Sequence, residues 1–255
     1  MRLVRFEKDG KAAWGIAEGD AIAPLAGAPW ETGGTPKRAG ATVDRRSVAL
    51  LPPAAPSKIL CIGRNYKAHA AELGNEVPKE PLVFLKPPSC VIPHGGTVRL
   101  PKESARVEHE GELALVIGRR ARRVPKESWR DVVLGVTCSL DVTARDLQKT
   151  DGQWWRAKGF DTFGPLGPAI ETDVDPSDLT VETFVDGVKK QSGRTADMIF
   201  DVGTLVAFTS AAMTLEPGDV ILTGTPEGVG PIAAGQTVEV RISGVGTLAV
   251  KVEKE

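Results

Sequence analysis

Three carboxylates in this chain have the spacing to hold a cation. Glu110 and Glu112 flank Gly111 at the start of an apolar run over residues 113–117. In a β-strand, residues two apart project from one face, so both carboxylates would enter the same space. Like charges that close repel unless something positive lies between them. Taken alone, the pair reads as a solvated strand end; a third carboxylate shifts the balance toward a metal site. Asp141 closes a second apolar run, residues 132–140, ahead of a helix expected through Lys149. Its side chain could cap that helix, or it could complete an all-oxygen triad with the two glutamates. Such a triad favours a hard cation, Mg²⁺ or Mn²⁺, with open positions for water or substrate.

Two further features could move protons or charge. His69 and Glu72 share a face of a short helix expected over residues 66–73, with Asn65 as its cap and Gly74 as its end. A carboxylate beside an imidazole stabilises the imidazolium, which suits the pair to general acid–base work; a simple exposed ion pair is the alternative. Lys158 stands in Trp154-Trp155-Arg156-Ala157-Lys158-Gly159-Phe160, and such apolar flanks are unusual for a solvated loop lysine.

The elements that must position these groups are mostly strands. Asp9-Gly10 between two short apolar runs predicts an N-terminal hairpin. A polar stretch over residues 27–46 and a proline-rich connection at 50–56 follow, which places a boundary between residues 1–55, a small β domain, and residues 56–255. Strands are expected at 59–63, 82–85, 113–117, 132–138, 220–222, 238–242 and 248–252, and a longer helix over 196–213. Many strands, few helices and no βα alternation indicate a β-dominated α+β fold.

Composition narrows the function. The 255 residues carry 32 Lys+Arg against 33 Asp+Glu, a formal charge of -1, which argues against nucleic-acid or polybasic membrane-surface partners. No apolar run reaches the ~18 residues of a membrane helix. Cys61, Cys90 and Cys138 are odd in number and lack C-x-x-C spacing, which suits a cytoplasmic protein without disulfides. Gly244-Val245-Gly246-Thr247-Leu248-Ala249 fits a dinucleotide fingerprint but precedes a strand instead of a helix, so it is set aside. The cluster Arg119-Arg120-Ala121-Arg122-Arg123 reads as a solvated turn, and His94, His109 and Cys90 lack zinc spacing.

Taken in order, the motifs resemble those of the fumarylacetoacetate hydrolase family over roughly residues 57–255. Gly63-Arg64-Asn65-Tyr66 with His69 and Glu72 comes first, then Glu110-x-Glu112, then Leu140-Asp141-Val142-Thr143-Ala144-Arg145-Asp146-Leu147-Gln148. Lys158 with Phe160-Asp161-Thr162-Phe163-Gly164-Pro165 and the segment Leu215-Glu216-Pro217-Gly218-Asp219 through Thr225 to Gly230 complete the match. The likeness is greatest to shorter bacterial members, including 2-hydroxyhepta-2,4-diene-1,7-dioate isomerases. It implies a mixed β-sandwich roll, a homodimer, and one Mg²⁺ or Mn²⁺ per active site held by Glu110, Glu112 and Asp141. By the same resemblance His69 and Glu72 form a catalytic dyad on a helix that can act as a lid. Lys158 adds charge stabilisation, and Arg145, Gln148 and Thr225 hold a small 2-oxo acid substrate. Gly111 stands where a larger residue such as Val is expected, and would loosen the strand.

The implied chemistry passes through an enolate, which serves isomerisation, decarboxylation and C–C hydrolysis alike. The leading expectation is 2-hydroxyhepta-2,4-diene-1,7-dioate isomerase in aromatic-compound breakdown. Acylpyruvate hydrolysis and oxaloacetate decarboxylation are the alternatives within the class. A catalytically silent ligand-binding relative is the alternative outside it.

Overall fold

The computed structural model describes residues 1–31 and 36–255; residues 32–35, inside the polar stretch at 27–46, lie outside the described residues. The architecture is the strand-dominated α+β fold expected, with mixed sheets and a few short helices. Asp9-Gly10 turns the chain between Arg2–Lys8 and Lys11–Glu18, with φ of 52° and 72°. Two successive positive φ angles define the turn that matches strand twist, and Asp-Gly tolerates it well.

The N-terminal strands are continuous with the main sheet. Arg2 and Leu3 pair with Glu171 and Ile170 of the strand Gly164–Glu171. In space the sheet then runs through Val133–Leu140, Gly111–Ile117, Val220–Leu222, Ile59–Gly63 and Leu82–Lys86. Val220–Leu222 and Ile59–Gly63 are parallel, and their outer neighbours are antiparallel. Asp219 fastens the proline-rich connection to this centre by accepting from the Ser57 amide and hydroxyl at 3.0 and 2.7 Å.

A second sheet is ordered Val188–Arg194, Thr180–Val185, Thr237–Ile242, Gly246–Lys254 and Thr97–Leu100. Its Val181, Val185, Val238 and Val240 join Leu113, Leu115, Val136 and Leu140 in one buried cluster. Gly111–Ile117 is buried along its whole length, which explains the unbroken apolar run over residues 113–117. Gly111 does not loosen this strand, contrary to expectation. A Cβ there would meet Val240 at 3.2 Å and Thr183 closer still, so the missing side chain lets the two sheets approach.

Three local expectations are corrected. The long helix begins at Val202, not at residue 196: Thr195–Asp197 form a separate 3-10 turn, and Asp201 caps Val202–Ala212 by accepting from the Thr204 amide at 2.8 Å. Asn65 is not the cap of Lys67–Glu72, where Tyr66 holds that position. Its amide instead donates to the Phe200 and Thr223 carbonyls, and its oxygen accepts from the Phe200 amide at 2.8 Å. Asp141 caps nothing either, because the short strand Thr143–Ala144 separates it from the helix Arg145–Thr150. Gly244-Val245 forms the tight connection between Thr237–Ile242 and Gly246–Lys254, so the glycine pattern there is a hairpin turn. The three cysteines are free and buried, and among the described residues no helix is long and apolar enough to cross a membrane.

Candidate metal centre and active site

The pairing of two central strands brings the carboxylates together. Leu140 lies opposite Gly111 in the antiparallel register, and the Asp141 amide donates to the Glu110 carbonyl at 2.8 Å. The strand ends therefore leave the sheet side by side, and Glu112 projects from the same face as Glu110. One oxygen from each of Glu110, Glu112 and Asp141 lies within 4.8 Å of the other two, and all three residues are buried. Oxygens that share a Mg²⁺-sized ion at ~2.1 Å sit about 3–4 Å apart, so the spacing suits one cation.

Buried cations already compensate two of the three acids. Lys158 Nζ donates to Glu110 Oε2 and Asp141 Oδ2, both at 2.6 Å. Lys86 Nζ donates to the other Asp141 oxygen at 2.6 Å, and Arg145 Nη2 to the other Glu110 oxygen at 2.5 Å. Burial alone would raise the Glu110 pKa, but Lys158 and Arg145 outweigh it and hold the group well below the usual carboxylate range. Burial alone would lower Lys158, and Asp141 and Glu110 overcome that to raise it.

Glu112 is different. It accepts only the Gly224 amide, at 2.7 Å, and among the described residues no Lys or Arg pairs with it. Burial first, then repulsion from Asp141 and Glu110, pushes its pKa well above the ordinary carboxylate value. A buried carboxylate without a counter-charge is costly, and a divalent cation among the three would supply one. The all-oxygen donor set and the uncompensated Glu112 fit a hard cation, and the three side chains that would hold it are Glu110, Glu112 and Asp141.

His69, with Glu72 behind it, faces the same cleft. His69 lines it from the helix Lys67–Glu72, with Nδ1 3.3 Å from Glu72 Oε2. The second Glu72 oxygen accepts from the Gly228 amide at 3.0 Å, which ties the helix to the glycine-rich loop. With Nδ1–H held by Glu72, Nε2 is the nitrogen left for a substrate.

The three residues expected to hold substrate also line the cleft; Arg145, Thr225 and the Gln148 oxygen are engaged by the protein. Arg145 Nε donates to Glu108 at 2.7 Å and Nη1 to Gln148 at 2.6 Å, so its guanidinium braces the acids. Thr225 Oγ1 donates to the Gly111 carbonyl at 2.8 Å and accepts from Gln191 at 2.7 Å. Phe84 and Trp154 form an aromatic wall, 5.3 Å apart and edge to face, with Lys158 Nζ 5.1 Å from the Phe84 ring.

Several participants are not evident from sequence. Lys86 looks like an ordinary charged end to the strand Leu82–Lys86, and only the fold shows it to be buried. Glu108 carried a usable signal, since Glu108-x-Glu110-x-Glu112 alternates three acids on one face. Gln191 accepts from the Gly111 amide at 2.9 Å from another sheet, which no local pattern announces. The His94 ring accepts from the Ala249 amide and His109 contacts Gln191, so neither joins a metal cluster; among the described residues Glu110, Glu112 and Asp141 form the one such group.

Residues 58–253 match the family model described as fumarylacetoacetate (FAA) hydrolase C-terminal, and residues 1–53 match one described as Rv2993c-like, N-terminal. The mitochondrial oxaloacetate tautomerase of Arabidopsis thaliana is 48% identical over 204 residues, covering 78% of this chain and 92% of the relative. The structure of 2-hydroxyhepta-2,4-diene-1,7-dioate isomerase from Mycobacterium marinum superposes with a TM-score of 0.92 at 45% identity, covering 100% of this chain and 99% of that one. Maleylpyruvate hydrolase from Sphingobium sp. SYK-6, in complex with manganese (II) ion and pyruvate, superposes with a TM-score of 0.81 at 34% identity, with the same coverage.

Proposed function

The chain is an enzyme of the fumarylacetoacetate hydrolase family, and from that premise we propose that it is a divalent-metal-dependent isomerase of 2-oxo or 2-hydroxydienoate dicarboxylates. Its leading substrate in this reading is 2-hydroxyhepta-2,4-diene-1,7-dioate. The observation that carries the reading is the convergence of Glu110, Glu112 and Asp141 in a cleft that His69 also lines. Support for the substrate comes from the resemblance to the Mycobacterium marinum isomerase, and for the cation from the manganese complex of the Sphingobium hydrolase.

A divalent cation held by the triad would supply Lewis acidity at the carboxylate and 2-oxygen of the substrate. The protein's own groups do the rest. Lys158, kept cationic by Asp141 and Glu110, stabilises negative charge as it develops at the 2-oxygen. His69, oriented by Glu72, moves the proton: off the 2-hydroxyl and onto C5 in a 2-hydroxydienoate, or between C3 and the 2-oxygen in a shorter 2-oxo acid. Leu73, Phe84 and Trp154 line the cleft with apolar surface and limit water around that proton.

A second reading, oxaloacetate tautomerisation or decarboxylation, is favoured by the sequence likeness, since the plant relative is an oxaloacetate tautomerase. A panel of hydroxydienedioate, acylpyruvate and oxaloacetate, assayed with and without Mg²⁺ or Mn²⁺, separates the readings. Fastest metal-dependent turnover of the dienedioate supports the first, and of oxaloacetate the second. Failure to turn over any of the three with metal present rejects both and favours a ligand-binding relative.

A further inference from the structure

We propose that Arg64 receives the far carboxylate of a dicarboxylate substrate and so sets the preference for diacids; this rests on the 2-oxo acid reading above. Three cationic side chains line the cleft: Arg64, Arg145 and Lys158. Arg145 and Lys158 are spent on Glu108, Glu110 and Asp141. Arg64 has no carboxylate partner among the described residues. Its guanidinium stands only over Trp154, 6.0 Å from the ring centroid.

The backbone presents this arginine deliberately. Arg64 follows the strand Ile59–Gly63 and has φ of 57°, in the left-handed region that residues other than glycine adopt uncommonly. Asn65, the next residue, holds the conformation through its bonds to Phe200 and Thr223. A conformation fixed in this way aims the side chain reproducibly, and such outliers gather at ligand-binding positions.

The surroundings fit a carbon chain ending in an acid. Arg64, Phe84 and Trp154 are common to the catalytic cleft and to an adjoining groove that also includes Leu82 and Trp155. A substrate gripped at the carboxylate triad can pass along the two rings and finish at the guanidinium, whose planar fork suits a carboxylate.

The test is calorimetry on the Mn²⁺-loaded protein with three unreactive probes: oxalate, which has the chelating end alone, 2-oxoglutarate, and 2-oxopentanoate as its length-matched monoacid. Arg64→Gly keeps the left-handed backbone free of strain while removing the guanidinium, and Arg64→Lys keeps the charge. The wild type should prefer 2-oxoglutarate to 2-oxopentanoate. Arg64→Gly should lose about 10- to 100-fold of 2-oxoglutarate affinity, the scale of one charged hydrogen-bonded contact, with oxalate unchanged. Arg64→Lys should recover part of the loss. Equal weakening of oxalate, or an unchanged preference for the diacid in Arg64→Gly, overturns the proposal. Oxalate bound normally with no wild-type preference for the diacid overturns it alone. A wild type that binds none of the three overturns the 2-oxo acid reading and this proposal with it.

Discussion

Gly111 and Thr183 compete for one volume: a Cβ on Gly111 would lie 2.0 Å from Thr183 Oγ1. The two residues belong to facing sheets, and the threonine hydroxyl is buried without a hydrogen-bond partner among the described residues. Thr183 therefore fills space at this point. It holds the second sheet against the backbone between Glu110 and Glu112, and so fixes the separation of two of the three triad acids.

Gly111→Ala should destabilise the fold by about 1–3 kcal/mol, the usual cost of overpacking a filled core. Thr183→Ala in the same chain should restore most of it, because the remaining Thr183 Cβ would be 3.3 Å from the new methyl. Urea unfolding of the two single variants and the double variant measures the coupling. Strictly additive losses would show that this contact is not what demands glycine.

Lys86→Met removes one of the two lysines on Asp141 and leaves a buried oxygen unpaired. Breaking a buried pair from one side costs about 3–5 kcal/mol. Saturating Mn²⁺ should recover more stability in this variant than in the wild type, since the ion supplies the missing charge. Thermal unfolding with chelator and with Mn²⁺ provides the comparison. An identical gain in both proteins would separate Lys86 from the metal centre.

His69→Ala should lower turnover by about 10²–10⁴, the range for a positioned proton-transfer group. Metal affinity, measured by calorimetry, should stay near the wild-type value because His69 is outside the triad. Loss of metal binding in this variant would make the histidine a ligand instead.

Stability should depend on pH through His109. Burial lowers its pKa below the ordinary 6.5, against a smaller opposing contact with Gln191. His94 is lowered in the same direction, again by burial first. In the window from 6.5 down to the lower folded values the unfolded chain binds more protons than the native one. Stability is thus complete above 6.5 and is lost as pH falls through the folded pKa values. Between about pH 7 and pH 5 the two histidines disfavour the fold while the raised Glu112 carboxyl favours it, so the test is differential: on acidification the urea midpoint of His109→Gln should lose less, or gain more, than that of the wild type. A variant with the full wild-type slope would remove His109 from the account.

The parts of the site that lie close in sequence, or at strand ends, could be read from the residue pattern. Glu110-x-Glu112 is visible because strand periodicity is two, and Asp141 because it ends an apolar run beside it. Lys86 was not visible, because a lysine at a strand end is normally solvated and its burial depends on Asp141, 55 positions away. Asn65 misleads for a physical reason. Asparagine before a helix usually caps it, yet here tertiary bonds to Phe200 and Thr223 capture the amide. The helix start at Val202 was obscured because Ile199 and Phe200 continue the apolar pattern, although Asp201 with Thr204 carried the capping signal. The continuity of residues 1–55 with the main sheet rests on two residue pairs, Arg2 with Glu171 and Leu3 with Ile170, which no local pattern encodes.

The proposed function requires Glu110, Glu112 and Asp141 to hold one divalent cation together. Anomalous scattering from crystals soaked in Mn²⁺ should show a single strong peak among the three carboxylates in the wild type, absent in Asp141→Ala crystals grown and soaked alike. A peak elsewhere, or an unchanged peak in Asp141→Ala, would contradict it.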